Sequence, residues 1–406
     1  MMALRDRAAI TNILNQENVK NIKSTHNVGQ GKTKRPALGE IGNKVNTVRG
    51  AEPIDRTSLL QGDKKKLIVP SKQILKPTKK VLEKPPVQIV LPLVKDAVVQ
   101  ENKLAQVTKK KEFESFSSDL LAVEDIDKED HENPTLVSIY INDIYDYLRS
   151  LECKYPVHKG YLLGQNITPK MRSILIDWLI EVHQQFRLLQ ETLYLTVAII
   201  DRFLQAYHTI DRKRLQLVGV TAMFIASKYE EMYSPDISDF VYVTDNAYTK
   251  EEILQMEKVI VRTLDYSLGR PLSLHFLRRY SKAGKAVVVH HTMAKYFLEQ
   301  CLVHYEMCHY SPSLLAAAAL YLAFAITVNN DENKDEVWTN TLTHYSTYTK
   351  ADVIPVVQDI ASIIIIADKS KYQAVRKKYA QSKYMKISTR PELRSPIMIN
   401  ATKGTV

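Results

Sequence analysis

Between Lys170 and Leu204 the chain reads KMRSILIDWLIEVHQQFRLLQETLYLTVAIIDRFL, an apolar stretch with helical spacing. Thr168-Pro169 ahead of it supplies a hydroxyl suited to capping free N–H groups and a ring whose fixed φ suits a first turn. At about 3.6 residues per turn, Met171, Ile174, Leu175, Trp178 and Val182 share one arc. Ile176, Leu179 and Ile180 share a second, and Ser173, Asp177, Glu181 and Gln184 are squeezed between the two. A surface helix needs one apolar stripe, and a helix apolar on most sides sits centrally in its domain. Two readings stay open. Both arcs are core, or the arc with Met171, Ile174, Leu175 and Trp178 is left free to dock a partner's apolar residues.

Composition divides the chain. All 31 Phe and Tyr and both Trp lie at or after Phe113. Residues 1–111 carry 23 Lys and Arg against 9 Asp and Glu, and the remainder 33 against 36, so the net charge of +11 belongs to the leading segment. A nearly neutral folded part argues against direct nucleic-acid binding, which needs a basic footprint. Three cysteines form no disulfide framework and suit a reducing compartment. The stretch Met1 to Asn15 lacks a secretory apolar core. The longest apolar cluster, Val353 to Ala367, is too short to span a bilayer. The expectation is a soluble intracellular protein without membrane contact.

Residues 1–133 read as a disordered basic tail, too poor in apolar groups to offset ordering entropy. Within it, Arg35, Leu38, Ile41 and Asn43 stand at offsets that Arg7, Ile10, Ile13 and Asn15 repeat. One cation and two spaced aliphatics in an extended peptide can engage an acidic spot and apolar pockets. A phosphate-loop look-alike, His26 to Thr33, is rejected because His26 replaces the first glycine and no strand precedes it. Phe116, Leu120, Val123 and Ile126 are spaced like a leucine-rich export signal, or like a short helix packing on the next domain.

From Pro134 the pattern is helical. A short amphipathic helix holds Tyr140, Ile141, Ile144, Tyr145, Tyr147 and Leu148. After the organising helix come Gln190–Gln205, Arg212–Met232, Pro235–Val243 and a fifth helix opened by a Thr249/Glu252 capping box. After Gly269-Arg-Pro271 five more follow: Pro271–Ser281, Ala286–Tyr305, Pro312–Val328, Lys334–Tyr345 and Lys350–Ala367. Two sets of five helices, with no sustained strand alternation, make the fold class all-α.

Catalytic chemistry finds little support. Cys301, His304, Cys308 and His309 share roughly one helical face, but structural zinc sites place paired ligands on turns, so no metal is assigned. There is no Gly-rich loop, His-Arg-Asp loop or Asp-Phe-Gly of a kinase. Without a convergent polar triad the chain is not read as an enzyme, and no cofactor is implied. Lys228 and Glu257 read, from periodicity alone, as solvated charges or one surface ion pair.

The segments MRSILIDWL, DRFL, LQLVGVTAMFIASKYEE, YTKEEILQMEKVIVRTLDY and LGRPLSLHFLRRYSKAG together resemble the mitotic B-type cyclins over about residues 116–385. RPALGEIGN is similar to the destruction box of that family. The resemblance implies two tandem five-helix cyclin boxes, over 134–266 (with its preceding short helix) and 267–385, then a flexible tail over 386–406. It implies an activating subunit of a mitotic cyclin-dependent kinase that recruits Arg-x-Leu substrates. It also implies destruction through the anaphase-promoting ubiquitin ligase and shuttling between cytoplasm and nucleus. Kinase-contact positions would be Lys228, Glu257, Tyr140, Ile144, Tyr147 and Tyr266. A substrate-docking patch would use Met171, Ile174, Leu175 and Trp178 with Glu181 and Gln216 at its rim, which favours the open-arc reading. Arg172 and Asp201 would form a buried ion pair joining two helices of the first box. Arg35, Leu38, Ile41 and Asn43 would be the destruction signal. The basic tail over residues 1–133 lacks a Lys-Glu-Asn tripeptide and any Ser-Pro or Thr-Pro pair. The competing class is a transcription-factor scaffold, since such proteins also use tandem cyclin folds.

Overall fold

The computed structural model describes residues 123–327 and 337–405. These form thirteen α-helices and, among the described residues, no strand, so the chain is all-α as its periodicity requires. The basic tail through residue 122, with Arg35–Asn43 and its Arg7 copy, lies outside the described residues.

Helix α1 (Ile141–Lys154) is followed by a first set of five: α2 (Pro169–Phe186), α3 (Gln190–Ala206), α4 (Leu215–Glu230), α5 (Ile237–Val243) and α6 (Lys250–Thr263). Helix α2 opens as its sequence demands, with Thr168 Oγ1 accepting from Met171 N at 3.3 Å and Pro169 in the first turn. Every residue of α4 from Leu215 to Ser227 is buried. Gly219 and Ala222 keep that helix slim, and α3 packs along it. The capping box of α6 forms, Thr249 and Glu252 each bonding the other's backbone N–H.

The second set is α7 (Ser273–Ala283), α8 (Val288–Val303), α9 (Pro312–Thr327), α10 (Asn340–Ser346) and α11 (Lys350–Ile366). Here α9 is the central rod, its Ala316 to Ala319 run letting α7, α8 and α11 approach closely. Helix α10 begins later than the Lys334 expected, with Thr339 capping Leu342 N.

Two boundaries need correcting. The tail expected to run to residue 133 gives way to ordered chain from Val123, because acids there meet cations on α7. Asp127, buried, takes Arg279 bidentately at 2.6 and 2.6 Å and Lys282 at 2.9 Å. Residues 386–406, expected as a flexible tail, instead contain short helical turns and α13 (Pro396–Ala401). Ile387, Leu393, Met398 and Ala401 are buried there, against α9 and α11 among others. Apolar residues spaced three to six apart carry this docking without a long helix to announce it.

Helix α1 also belongs elsewhere than its place in the chain suggests. Tyr145 Oη donates to His275 O at 2.8 Å, and Glu152 accepts from Ser313 N and Oγ at 3.0 and 2.6 Å. It precedes the first set yet is seated on the second.

Candidate functional site

The C-terminal turn of α4 brings Lys228 beside Glu257 of α6, and the two form an ion pair. Lys228 Nζ also lies 4.2 Å from the Phe224 ring centroid. Packing explains the meeting: α6 lies against α4, and its middle turn meets the end of the buried rod. The Lys228 side chain is 42% exposed and that of Glu257 19%. A pair so placed contributes under about 1 kcal/mol to stability and keeps its polar groups available to another surface.

Large apolar side chains also stand in solvent on α1 and at the end of α6. Tyr140, Tyr147 and Tyr266 are 61–71% exposed, with Ile144 also exposed. Tyr266 follows α6 in the left-handed region at φ 54°, next to Asp265 at φ 49°. Two such residues in succession are uncommon outside glycine, and they fix the direction in which the ring leaves the helix end. Sequence reasoning missed Tyr229, Met232, Tyr233 and Tyr242, all more than half exposed. Their signal was the clustering of apolar residues just beyond Ser227, where the buried 3.6-residue period has stopped. Tyr229 Oη lies where a Cβ at Gly269 would come within 3.4 Å, and Gly269 leads on to α7, on which α1 sits. Isolated exposed apolar residues need no explanation, whereas a gathered set marks a surface for another macromolecule.

The second candidate surface lies on α2. Met171, Ile174, Trp178 and Glu181 are partly exposed. Leu175, expected among them, is fully buried and is a correction. It fits against Gly219 of α4, where an added Cβ would stand 2.7 Å from Leu175 Cδ1. Gln216 is also corrected from rim to interior, at 4% exposure, and its buried Nε2 has no hydrogen-bond partner among the described residues. The apolar arc is therefore divided: Leu175 and Val182 go to core, while Met171, Ile174 and Trp178 remain at the surface.

The polar residues between the arcs have a use the sequence did not disclose. Ser173 Oγ donates to Val303 O at 2.7 Å, and Asp177 Oδ1 accepts from Ala374 N at 2.9 Å, at the start of α12 (Ala374–Tyr379). Burial, with Glu181 close by, raises the Asp177 carboxyl to about 6. Arg172 meets Asp201 at 2.6 and 2.7 Å, joining α2 to α3. Its remaining nitrogen also donates to Leu302 O at 3.1 Å, so the pair binds the second set as well.

The groups expected to face a kinase are thus exposed or partly exposed side chains of α1, α4, α6 and the turn after it, and three of the patch residues stand partly exposed on α2. Among the described residues no three His, Cys, Asp or Glu side chains gather as a metal site. Burial pushes the Cys308 thiol up to about 12 and that of Cys301 further up.

Comparison with known proteins matches both helical sets. A family model of the cyclin N-terminal domain matches residues 143–269, and one of the cyclin C-terminal domain matches 271–393. The G2/mitotic-specific cyclin-B of Patella vulgata is 48% identical over 382 residues, 90% of each chain. That of Spisula solidissima is 56% identical over 293 residues, covering 72% of this chain and 67% of its own. The G2/mitotic-specific cyclin-B1 of Xenopus laevis is 45% identical over 388 residues, 91% of this chain and 90% of its own.

Proposed function

This chain belongs to the cyclin family, alongside its G2/mitotic-specific B-type members, and on that premise we propose that it activates a mitotic cyclin-dependent kinase by docking. In this reading it acts as a regulatory subunit of the kinase. The observation that carries the reading is that Tyr140, Ile144, Tyr147 and Tyr266 are large apolar side chains left exposed, while Lys228 and Glu257 form an accessible ion pair.

The mechanism is a population shift. A kinase that rests in an inactive arrangement moves to the active one when a partner binds the active one better. Moving the balance from about 1:99 to 99:1 takes about 5.5 kcal/mol of differential affinity. A rigid helical face burying on the order of 2,000 Å² can supply it, because little of its binding energy goes into ordering itself. Lys228 and Glu257 meet the kinase as a preformed donor and acceptor, stronger once water has left the interface.

The α2 surface would hold Arg-x-Leu peptides, with Met171, Ile174 and Trp178 taking the leucine and Glu181 the cation. Leu175 and Gln216 would support it from beneath. In one kinase assay, Lys228→Ala with Glu257→Ala should leave the helical content and melting intact while cutting activation at least tenfold. Trp178→Ala should raise KM about tenfold for an Arg-x-Leu substrate and leave a short peptide lacking the motif unchanged. Full activation by the double variant would sink the docking assignment; equal losses on both substrates would return Trp178 to the core.

Destruction at mitotic exit through the anaphase-promoting ligase, read from Arg35, Leu38, Ile41 and Asn43, belongs to the same proposal, as does movement between cytoplasm and nucleus. Arg35→Ala with Leu38→Ala should lengthen the protein's half-life as cells leave mitosis, and an unaltered half-life would make that motif incidental.

A further inference from the structure

A strongly basic stretch lies beside α2. From Lys369 to Arg390 the chain carries eight Lys and Arg and no Asp or Glu. Two of the eight are neutralised, Lys378 by Glu299 in the interior and Arg390 by Glu392 at 3.1 Å. Asp368, the acid just ahead of the stretch, already holds Arg394 at 2.9 Å. The other six are Lys369, Lys371, Arg376, Lys377, Lys383 and Lys386, and all but the half-buried Arg376 are exposed.

Packing sets this charge against the α2 surface. Helix α12 lies on α2, with Ala374 N donating to Asp177 at 2.9 Å. Around α2, at about 100° per residue, Trp178, Ile174 and Glu181 follow one another, and Asp177 comes next. Helix α12 therefore borders the patch along its Glu181 edge. Lys377, in the first turn of α12, is close enough for its charge to act on Asp177, as Glu181 does. Lys383, beyond α12, acts in the same way on His183, further along α2. Cations beside a docking edge attract an anionic ligand and repel a cationic one. The chain's own leading segment, with 23 Lys and Arg against 9 Asp and Glu over residues 1–111, is repelled. A peptide seated with its Arg at Glu181 and its Leu on Met171, Ile174 and Trp178 leads its upstream residues off at the Glu181 edge, toward α12.

We propose that α12 and the turn after it extend the α2 docking surface and select peptides with Asp or Glu immediately before the Arg of an Arg-x-Leu motif, Lys377 and Lys383 meeting those carboxylates. This rests on the docking reading of α2 and adds a preference among its ligands. The cations are exposed, so the gain is modest and falls as salt screens it. It ranks substrates that already dock, by the charge of the residues ahead of the motif.

Fluorescence anisotropy with the full chain and labelled peptides sharing one Arg-Ala-Leu core tests this. One peptide has a Glu-rich flank ahead of the Arg, a second has Gln in those places, and a third carries the Glu flank after the Leu. The first should bind about fivefold tighter than the second, the worth of a pair or two of exposed charges. The third should gain little. The preference should fade at about 0.5 M salt, where the screening length is a few ångströms. Lys377→Glu with Lys383→Glu should abolish it and leave the Gln peptide's affinity unchanged. The flank and salt comparisons use the unaltered chain and hold even if that variant does not fold. Equal affinity for Glu and Gln peptides, an equal gain from either flank, or a preference that survives in the folded double variant would each overturn the site while leaving the docking reading in place. No binding of any peptide would instead remove the docking reading, and the preference with it. A short DNA duplex that binds the unaltered chain and not the double variant would assign the surface to nucleic acid and overturn the peptide assignment.

Discussion

Asp177 shows how one residue's address fixes its chemistry. It lies one position before Trp178, so helical geometry turns it away from the docking arc and toward the seam, where it accepts from Ala374 N. Among the described residues it forms no ion pair; burial raises its carboxyl from 3.8 to about 6, with the Ala374 amide and the charge of Lys377 opposing only in part. The sign follows from proton counting. Between those values the folded chain binds more protons than the unfolded one, so this group's contribution to stability falls as pH rises through the window. Above pH 6 the buried charge costs on the order of 1–3 kcal/mol. Asp177→Asn keeps an acceptor for Ala374 N and removes the charge. Denaturant titrations should therefore find the variant more stable than the parent at pH 7.5 by that amount, with the difference closing below about pH 4. A difference that stays constant with pH would mean Asp177 is not raised. The sequence placed Asp177 correctly in the gap between the arcs, and it could not say that the gap faces protein, because periodicity records polarity and not what lies opposite. Leu175 is the converse case. Its apolar character allowed core or surface, and the decision came from Gly219, 44 positions later in the chain, whose missing Cβ makes the space.

Helix α1 was legible as an element and illegible as a part. Its apolar residues announce a helix, yet they divide into two stripes: Tyr145 and Leu148 turn inward, while Tyr140, Ile144 and Tyr147 stay exposed. What orients it is Glu152, whose carboxylate meets Ser313 N and Oγ at the N-terminus of α9, 161 positions away. That end of α9 has free N–H groups and a positive dipole end, which a carboxylate satisfies. No local pattern reports a cap delivered from so far. Arg149 adds a second clamp, donating to Tyr345 O and Ser346 O at 2.7 and 2.8 Å. Glu152→Ala should strip the cap, leave Ser313 N–H buried without an acceptor and cost about 1–3 kcal/mol. Hydrogen exchange should then speed up over residues 141–154 and at the start of α9, with the α4–α6 region unchanged. Kinase activation should fall as the exposed tyrosines of α1 lose their fixed position. Unaltered exchange in α1 would show that the apolar stripe alone holds it.

At the scale of the molecule, the two helical sets read as separate units in sequence and are joined by polar ties in the structure. Besides Arg172 and Ser173, Gln190 Nε2 donates to Glu299 at 2.6 Å, Glu191 pairs with Arg278, and Tyr305 Oη accepts from Leu162 N at 2.8 Å. Glu299, fully buried, also holds Lys378 at 2.8 Å and accepts from Tyr379 Oη, so α12 closes over the same seam. The proposed docking face would span α1, seated on the second set, and α4 to α6, in the first, and would be preformed only if this seam is rigid. The two tryptophans make that testable, since Trp178 belongs to the first set and Trp338 to the second. Chains keeping one tryptophan each, with the other changed to Phe, should unfold at the same denaturant midpoint, as one cooperative unit does. Arg172→Met leaves Asp201 buried without its guanidinium and removes the bonds to Leu302 and Val303 carbonyls. Breaking a buried pair from one side costs about 3–5 kcal/mol. The Trp178 signal should shift to lower denaturant first and part from the Trp338 signal, because the lost bonds anchored the first set to the second. Kinase affinity should drop with it, although no kinase-facing side chain has changed. If the two signals move together by the same amount, the seam does not depend on Arg172, and its rigidity rests on the Glu299 network instead.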